Sequence, residues 1–115
     1  MDKETIKDIA SRILYGVKVK CDGEVKTVDT VYSDKGLGFV GSSAFYGYNS
    51  FDIKPCLRRL TVNDMDDDEL EFFEMTFPHI NTTEKVDWLD AHMFDHRHLI
   101  NKNKAYAVNR SFYYE

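Results

Sequence analysis

The sequence predicts an α+β domain with an N-terminal helix, a small antiparallel sheet of about four strands (a partly open barrel is one arrangement), two C-terminal helices and room for a final short strand. Three observations lead there. Apolar residues near the N-terminus recur at helical spacing, Val-rich extended segments flank an Asp-Gly pair, and two helix-capping signatures stand in the second half. A chain of 115 residues, 43% apolar and 14% aromatic, has the size and composition of one compact domain, taken as residues 1–115.

Ile6, Ile9, Ala10, Ile13 and Leu14 fall at i, i+3, i+4, i+7 and i+8. That spacing makes a helix of about three turns with one apolar stripe and charged residues opposite, ended by Gly16. Val17, Val19 and Cys21 then alternate with Lys18 and Lys20 as a half-buried strand, and Asp22-Gly23 is a two-residue hairpin signal. The returning strand, Glu24 to Tyr32, has Val25, Val28 and Val31 three apart rather than two, which implies a bulge. Ser33 to Gly36 reads as a turn, Leu37 to Val40 as a short strand, and Gly41 to Ser50 as a loop. Phe51 to Ile53 and Leu57 to Leu60 resume extended chain. Pro55 lacks an N–H and so belongs at a sheet edge or a bend.

The next helix has explicit start signals: Asp66 as N-cap, Glu69 as its capping-box partner, and Met65 with Leu70 as a hydrophobic staple. It should bury Leu70, Phe73 and Phe77 and stop at Pro78. Asn81-Thr82-Thr83 announces a third helix with Val86, Leu89 and Met93 on one face and Trp88 beside them. Asp95 to Asn103 reads as irregular or as a last helical turn, and Ala105 to Val108 as the candidate final strand.

The formal charge is −5, unevenly placed. Residues 1–60 hold ten basic and eight acidic side chains, whereas residues 61–115 hold five and twelve, and seven of the eleven residues from Asp64 to Glu74 are acidic. Such a cluster repels phosphate and attracts basic surfaces. No apolar run approaches the roughly 20 residues of a membrane span, and no apolar stretch follows the charged residues Met1 to Lys7, so a cytoplasmic protein away from the membrane is expected. Cys21 and Cys56 are expected as reduced thiols, with a disulfide between them as the alternative.

Four segments, Ile13 to Lys20 (ILYGVKVK), Ile53 to Leu60 (IKPCLRRL), the helix start Met65 to Glu69 and Asp87 to Ile100 (DWLDAHMFDHRHLI), carry a family likeness. They resemble a group of short uncharacterised proteins encoded by phages and prophages of gut bacteria. Members read approximately L-P-Y-G-V-K-V, K-P-Y-L-R-P-L-S-S-M-T-E-E-E and D-W-L-N-A-H-H-F-D-Y-R-G-L-I. The resemblance implies a mobile-element accessory protein and supplies no activity. The chain departs from the pattern at Arg59, where the group has Pro, at Thr61 to Asp64, which is longer, and at His96 and His98, where the group has Tyr and Gly.

Conventional catalytic patterns are incomplete. His92 and His96 have the i, i+4 spacing of a zinc pair, with His98 nearby, but no Glu adjoins His92; no metal or other cofactor is expected, and the histidines read as helix-end groups. Asp64 to Glu69 lacks the Gly and closing Glu of a calcium loop. Cys56 lies near Arg58 and Arg59, whose charge would lower a thiol pKa, yet no His is close in sequence. Gly36-x-Gly38-x-x-Gly41 does not open a helix. Asp95-x-Arg97 reads as a local ion pair beside a buried Phe94.

Two surfaces remain. The acidic helix face of Asp67, Asp68, Glu71 and Glu74 suits a basic patch on a host or phage protein. The alternative is a nucleic-acid surface of Lys18, Lys20, Lys26, Arg58 and Arg59 with the loop aromatics Phe45, Tyr46 and Tyr48. The leading expectation is a non-catalytic protein-binding accessory protein, then a nucleic-acid-binding module, then a metal-dependent enzyme. Aromatics near Tyr46 and at Phe112, Tyr113 and Tyr114 would serve either a homodimer contact or the core.

Overall fold

The computed structural model describes residues 1–32, 35–42, 45–48 and 52–114, and among them three α-helices and six strands follow in α+β order. The expected turn at Ser33-Asp34, Phe51, and Ser43, Ala44, Asn49 and Ser50 of the expected loop lie outside the described residues.

Helix α1 (Lys3–Ala10) is capped by Asp2, whose carboxylate accepts the Thr5 amide at 2.9 Å. It is shorter than the apolar spacing suggests. The chain breaks step at Ser11 and Arg12, makes a separate 3-10 turn over Ile13–Tyr15, and closes on Gly16 in the left-handed conformation. Leu14 is therefore 92% exposed, while Asp8 and Arg12, assigned by the pattern to the solvent side, are fully buried. Their mutual ion pair is what makes that burial tolerable.

Strands β1 (Lys18–Cys21) and β2 (Glu24–Tyr32) form the expected hairpin, with Asp22 and Gly23 at φ 51° and 87° as a type I′ turn requires. The register against β3 (Gly36–Phe39) shifts between Val28 and Thr30, at the expected bulge. Strand β4 (Phe45–Gly47) occupies part of the segment read as a loop. It packs so closely that a Cβ on Gly36 would collide with the Tyr46 carbonyl.

Strand β5 (Ile53–Arg58) runs unbroken through Pro55, which faces Val19 on β1 and lies one residue before the β6 ladder begins at Cys56. Pro55 is thus buried inside the sheet rather than at its edge or at a bend. Strand β6 (Tyr106–Val108) completes the order β4-β3-β2-β1-β5-β6 and runs parallel to β5. The sheet is mixed, six-stranded and open, not a four-stranded antiparallel sheet or a partial barrel. The long passage through two helices between β5 and β6 is what allows a parallel return.

Helix α2 (Asp67–Met75) starts on a complete capping box, with the Glu69 amide on Asp66 at 2.7 Å and the Asp66 amide on Glu69 at 3.1 Å. Its one buried residue is Glu69; Leu70, Phe73 and Phe77 are only half-buried, and Phe72 instead stacks on Trp88 at 5.1 Å. Pro78 sits in the 3-10 turn that follows. Helix α3 (Thr82–Ala91) is capped by Asn81 and buries Leu89 and Asp90, while Met93 lies beyond its end at φ 61°. The main core gathers Ile9, Val17, Val19, Val28, Leu37, Phe39 and Met93, and a second small cluster joins Leu57, Leu99 and Ala105. No helix among the described residues is long and apolar enough to cross a membrane.

Candidate functional site

The segment leaving α3 organises two buried ionic clusters. Arg58 ends β5 with no exposed surface, its amide donating to the Met93 carbonyl and its carbonyl accepting from the Asp95 amide, each at 2.8 Å. Its guanidinium donates from Nε to Asp64 at 2.8 Å, from Nη1 and Nη2 to the two Glu69 oxygens at 2.8 and 3.0 Å, to the His92 carbonyl at 3.1 Å, and to the Asp64 carbonyl. All five N–H groups are matched, and the plane lies 4.2 Å over the Phe94 ring. Burial pushes the Glu69 carboxyl up, but Arg58, the Asp66 amide and His92 outweigh it and hold the group at about 2. One glutamate therefore caps α2, neutralises a buried arginine and meets His92 Nδ1 at 2.8 Å.

The second cluster meets the first at Phe94, through its carbonyl rather than its ring. Arg12 donates to both Asp8 oxygens at 3.2 and 3.1 Å and to the Phe94 carbonyl at 2.8 Å. Arg97 bridges Asp8 at 2.6 Å and Asp90 at 3.0 Å, and His96 Nε2 meets Asp90 at 2.9 Å. Burial raises the Asp90 carboxyl, yet His96, Arg97 and Arg12 leave it below its ordinary value. The expected Asp95–Arg97 pair is not formed: the Asp95 carboxylate instead accepts the Leu99 and Ile100 amides, both at 2.9 Å, pinning the turn after Phe94.

These bonds also separate the histidines. Helix α3 ends at Ala91, so His92 and His96 do not share a helix face; they attend Glu69 and Asp90 respectively, and His98 is exposed at φ 62°. Among the described residues no group of three or more His, Cys, Asp or Glu is placed to hold a metal. Cys21 and Cys56 are free and buried, and burial pushes the Cys56 thiol up to about 11, against the direction expected from its arginine neighbours. Gly36 and Gly38 lie within β3, not at a helix start. Among the described residues neither cysteine has a histidine base beside it and the glycine string does not open a helix.

Asp67, Asp68, Glu71 and Glu74 line the outside of α2, all exposed and none in an ion pair with a described residue. Beside them is a cleft of about 360 Å³ walled by Asp66, Phe72, Trp88 and Tyr114. Arg110 lies along it, 2.7 Å from Asp66 and 5.0 Å over the Tyr114 ring.

The residues read as one basic and aromatic surface do not assemble as such. Lys18 and Lys20 share one side of the sheet, but Lys26 pairs with Val19 and so lies on the other, over Phe39 and Tyr46 and 3.4 Å from Glu24. Arg58 is sealed inside. Arg59 is exposed elsewhere, beside Thr61 and His98. Tyr46 packs on Phe39 at 4.9 Å, and Tyr48 is buried with its hydroxyl donating to the Tyr32 carbonyl at 2.6 Å; Phe45 remains exposed. Of the C-terminal aromatics, Tyr113 donates to the Cys56 carbonyl at 2.6 Å and Tyr114 to the Ala91 carbonyl at 3.3 Å. The sequence reading missed Lys54, directly opposite Lys20, and Tyr106, over which both ammonium groups lie. Comparison with models of known families, with curated proteins and with solved structures finds no match.

Proposed function

We propose that this chain is a non-catalytic accessory protein of a phage or prophage, working in the cytoplasm, that docks a basic surface of a host or phage protein through the acidic face of α2. The observation that carries the reading is a division of labour within one helix. Asp66 and Glu69 are consumed by capping, Arg58 and Arg110, whereas Asp67, Asp68, Glu71 and Glu74 are exposed and form no ion pair with a described residue. Four carboxylates held on a rigid helix raise the local negative potential and speed encounter with a basic partner. The buried thiols support a reducing compartment, and the phage likeness of the DWLDAHMFDHRHLI segment supports the origin.

Charge reversal tests it. The Asp67→Lys/Glu71→Lys variant should keep the melting temperature of the parent and lose the protein captured from nuclease-treated host lysate by the tagged chain. Capture that the reversal leaves unchanged rejects this face.

A further inference from the structure

Residues directly paired between strands share a side of the sheet, as do residues two apart along one strand. Over the paired registers of β1, β2, β5 and β6, one side holds four cations, Lys18, Lys20, Lys54 and Arg58, and no carboxylate. The chain seals the Arg58 end fully, and Phe112 and Tyr113 lie over Lys18, while Lys18, Lys20 and Lys54 stay half-buried. Asp64 and Glu69 fold over Arg58 and neutralise it, whereas Lys18, Lys20 and Lys54 meet no carboxylate among the described residues. Lys20 and Lys54 are exact cross-strand partners, an arrangement that costs stability because like charges stand side by side. Their ammonium groups lie 4.8 and 5.4 Å over the same ring, Tyr106, and Lys18 lies 5.6 Å over Phe112; among the described residues Lys54 also donates to the Asn103 side-chain oxygen at 3.4 Å. Val25, opposite Lys20, is 46% exposed and leaves the approach flat.

We propose that this open end of the sheet binds single-stranded nucleic acid, with phosphates on Lys18, Lys20 and Lys54 and a base stacked on Tyr106. Phosphate supplies the anion that the fold withholds here and supplies to Arg58. A half-buried aromatic ring in contact with two cations suits an unpaired base, because a duplex hides its base faces and presents only phosphates. The molecule's net charge of −5 confines the strand to this face, away from α2.

Fluorescence anisotropy of the full chain with an end-labelled 12-nucleotide oligothymidylate and its RNA counterpart tests the assignment. Three phosphate contacts give a slope of about −2 in log affinity against log salt, or about 20-fold weakening between 50 and 200 mM. Lys20→Gln/Lys54→Gln should reduce that slope to about −0.7, and Tyr106→Leu, which keeps an apolar side chain on the sheet, should weaken binding about tenfold. The Asp67→Lys/Glu71→Lys variant should bind at least as tightly as the parent, which separates this face from the one proposed on α2. A flat titration at 50 mM salt overturns the proposal, as does binding indifferent to the lysine changes in a variant with native circular dichroism. Equal affinity for a duplex removes the single-strand assignment, and equal affinity for a polyglutamate peptide gives the face to an acidic protein instead.

Discussion

At one end of the sheet face Arg58 has no exposed surface and every N–H matched, whereas four residues earlier in the same strand, on the same side, Lys54 stands beside Lys20 and neither is ion-paired with a described residue. The strand is common to both, so the difference comes from what the chain lays over each end. The 3-10 turn over Val62–Asp64 and the start of α2 bring Asp64 and Glu69 onto Arg58. A guanidinium taken out of water needs an acceptor for each donor, and a planar fork can meet five in a fixed geometry. A lysine left half-buried lies along the sheet and keeps its ammonium in solvent, where it stays available. Position in the fold, not residue charge, decides which cations hold the structure and which can meet a partner.

The largest break in that comparison is Arg58→Met. Methionine fills much of the same space but leaves Asp64, Glu69 and the His92 carbonyl facing an apolar group, so the variant should lose about 3–5 kcal/mol. Its thermal midpoint should fall by at least about 10 °C in calorimetry at pH 7. A loss below about 1 kcal/mol would mean that the cluster is wet and that Arg58 is not the keystone its geometry makes it.

Acid titration probes the same cluster from the anion side. Glu69 ionises at about 2 in the folded chain against an ordinary 4.5, so as pH falls the unfolded chain takes up the proton first. The stabilisation is complete above about pH 5 and is lost progressively between about pH 4.5 and 2, amounting to on the order of 3 kcal/mol. Asp90, also held below its ordinary value, acts in the same direction. Denaturant unfolding across pH 7 to 2 should show this loss, and Glu69→Gln should be less stable at pH 7 with a flatter acid limb. An acid limb as steep in Glu69→Gln as in the parent would assign the transition to other carboxylates.

How much of this could be read from the chain follows from the range of each interaction. The capping box at Asp66 and Glu69, the Asp22-Gly23 hairpin and the bulge in β2 depend on neighbours within a few residues, and local spacing reveals them. The two ionic clusters combine near neighbours with contacts far along the chain, such as Arg58 with the His92 carbonyl 34 residues away and Asp8 with Arg97 89 residues away, and no local pattern announces those long-range pairings. Asp8 and Arg12 thus read as a solvent-facing pair on α1 because charge is the usual mark of exposure, and only their partners from the α3 exit reverse that. The lysine face failed for a related reason. Alternation assigns Lys18 and Lys20 to one side, but whether Lys26 or Lys54 joins them depends on strand register, and a register cannot be read from composition. The parallel β6, and with it Tyr106, required knowing where the chain returns after α3.

The smallest expected effect sharpens the comparison most. If Lys20 and Lys54 were structural cations like Arg58, removing one would cost stability; if they are held in mutual repulsion, removing one should relieve it. Lys20→Gln keeps the length and polarity of the side chain and deletes only the charge, leaving Lys54 its place over Tyr106 and its contact with Asn103. The midpoint of this variant should match the parent or exceed it by up to about 0.5 kcal/mol at low salt, and the gain should vanish as salt screens the pair. The salt dependence carries the distinction, because a gain from β-propensity or packing would persist at high ionic strength. A salt-insensitive loss of more than about 1 kcal/mol would place Lys20 with Arg58 among the cations that hold the sheet, and the open end of the face would lose its claim to a ligand.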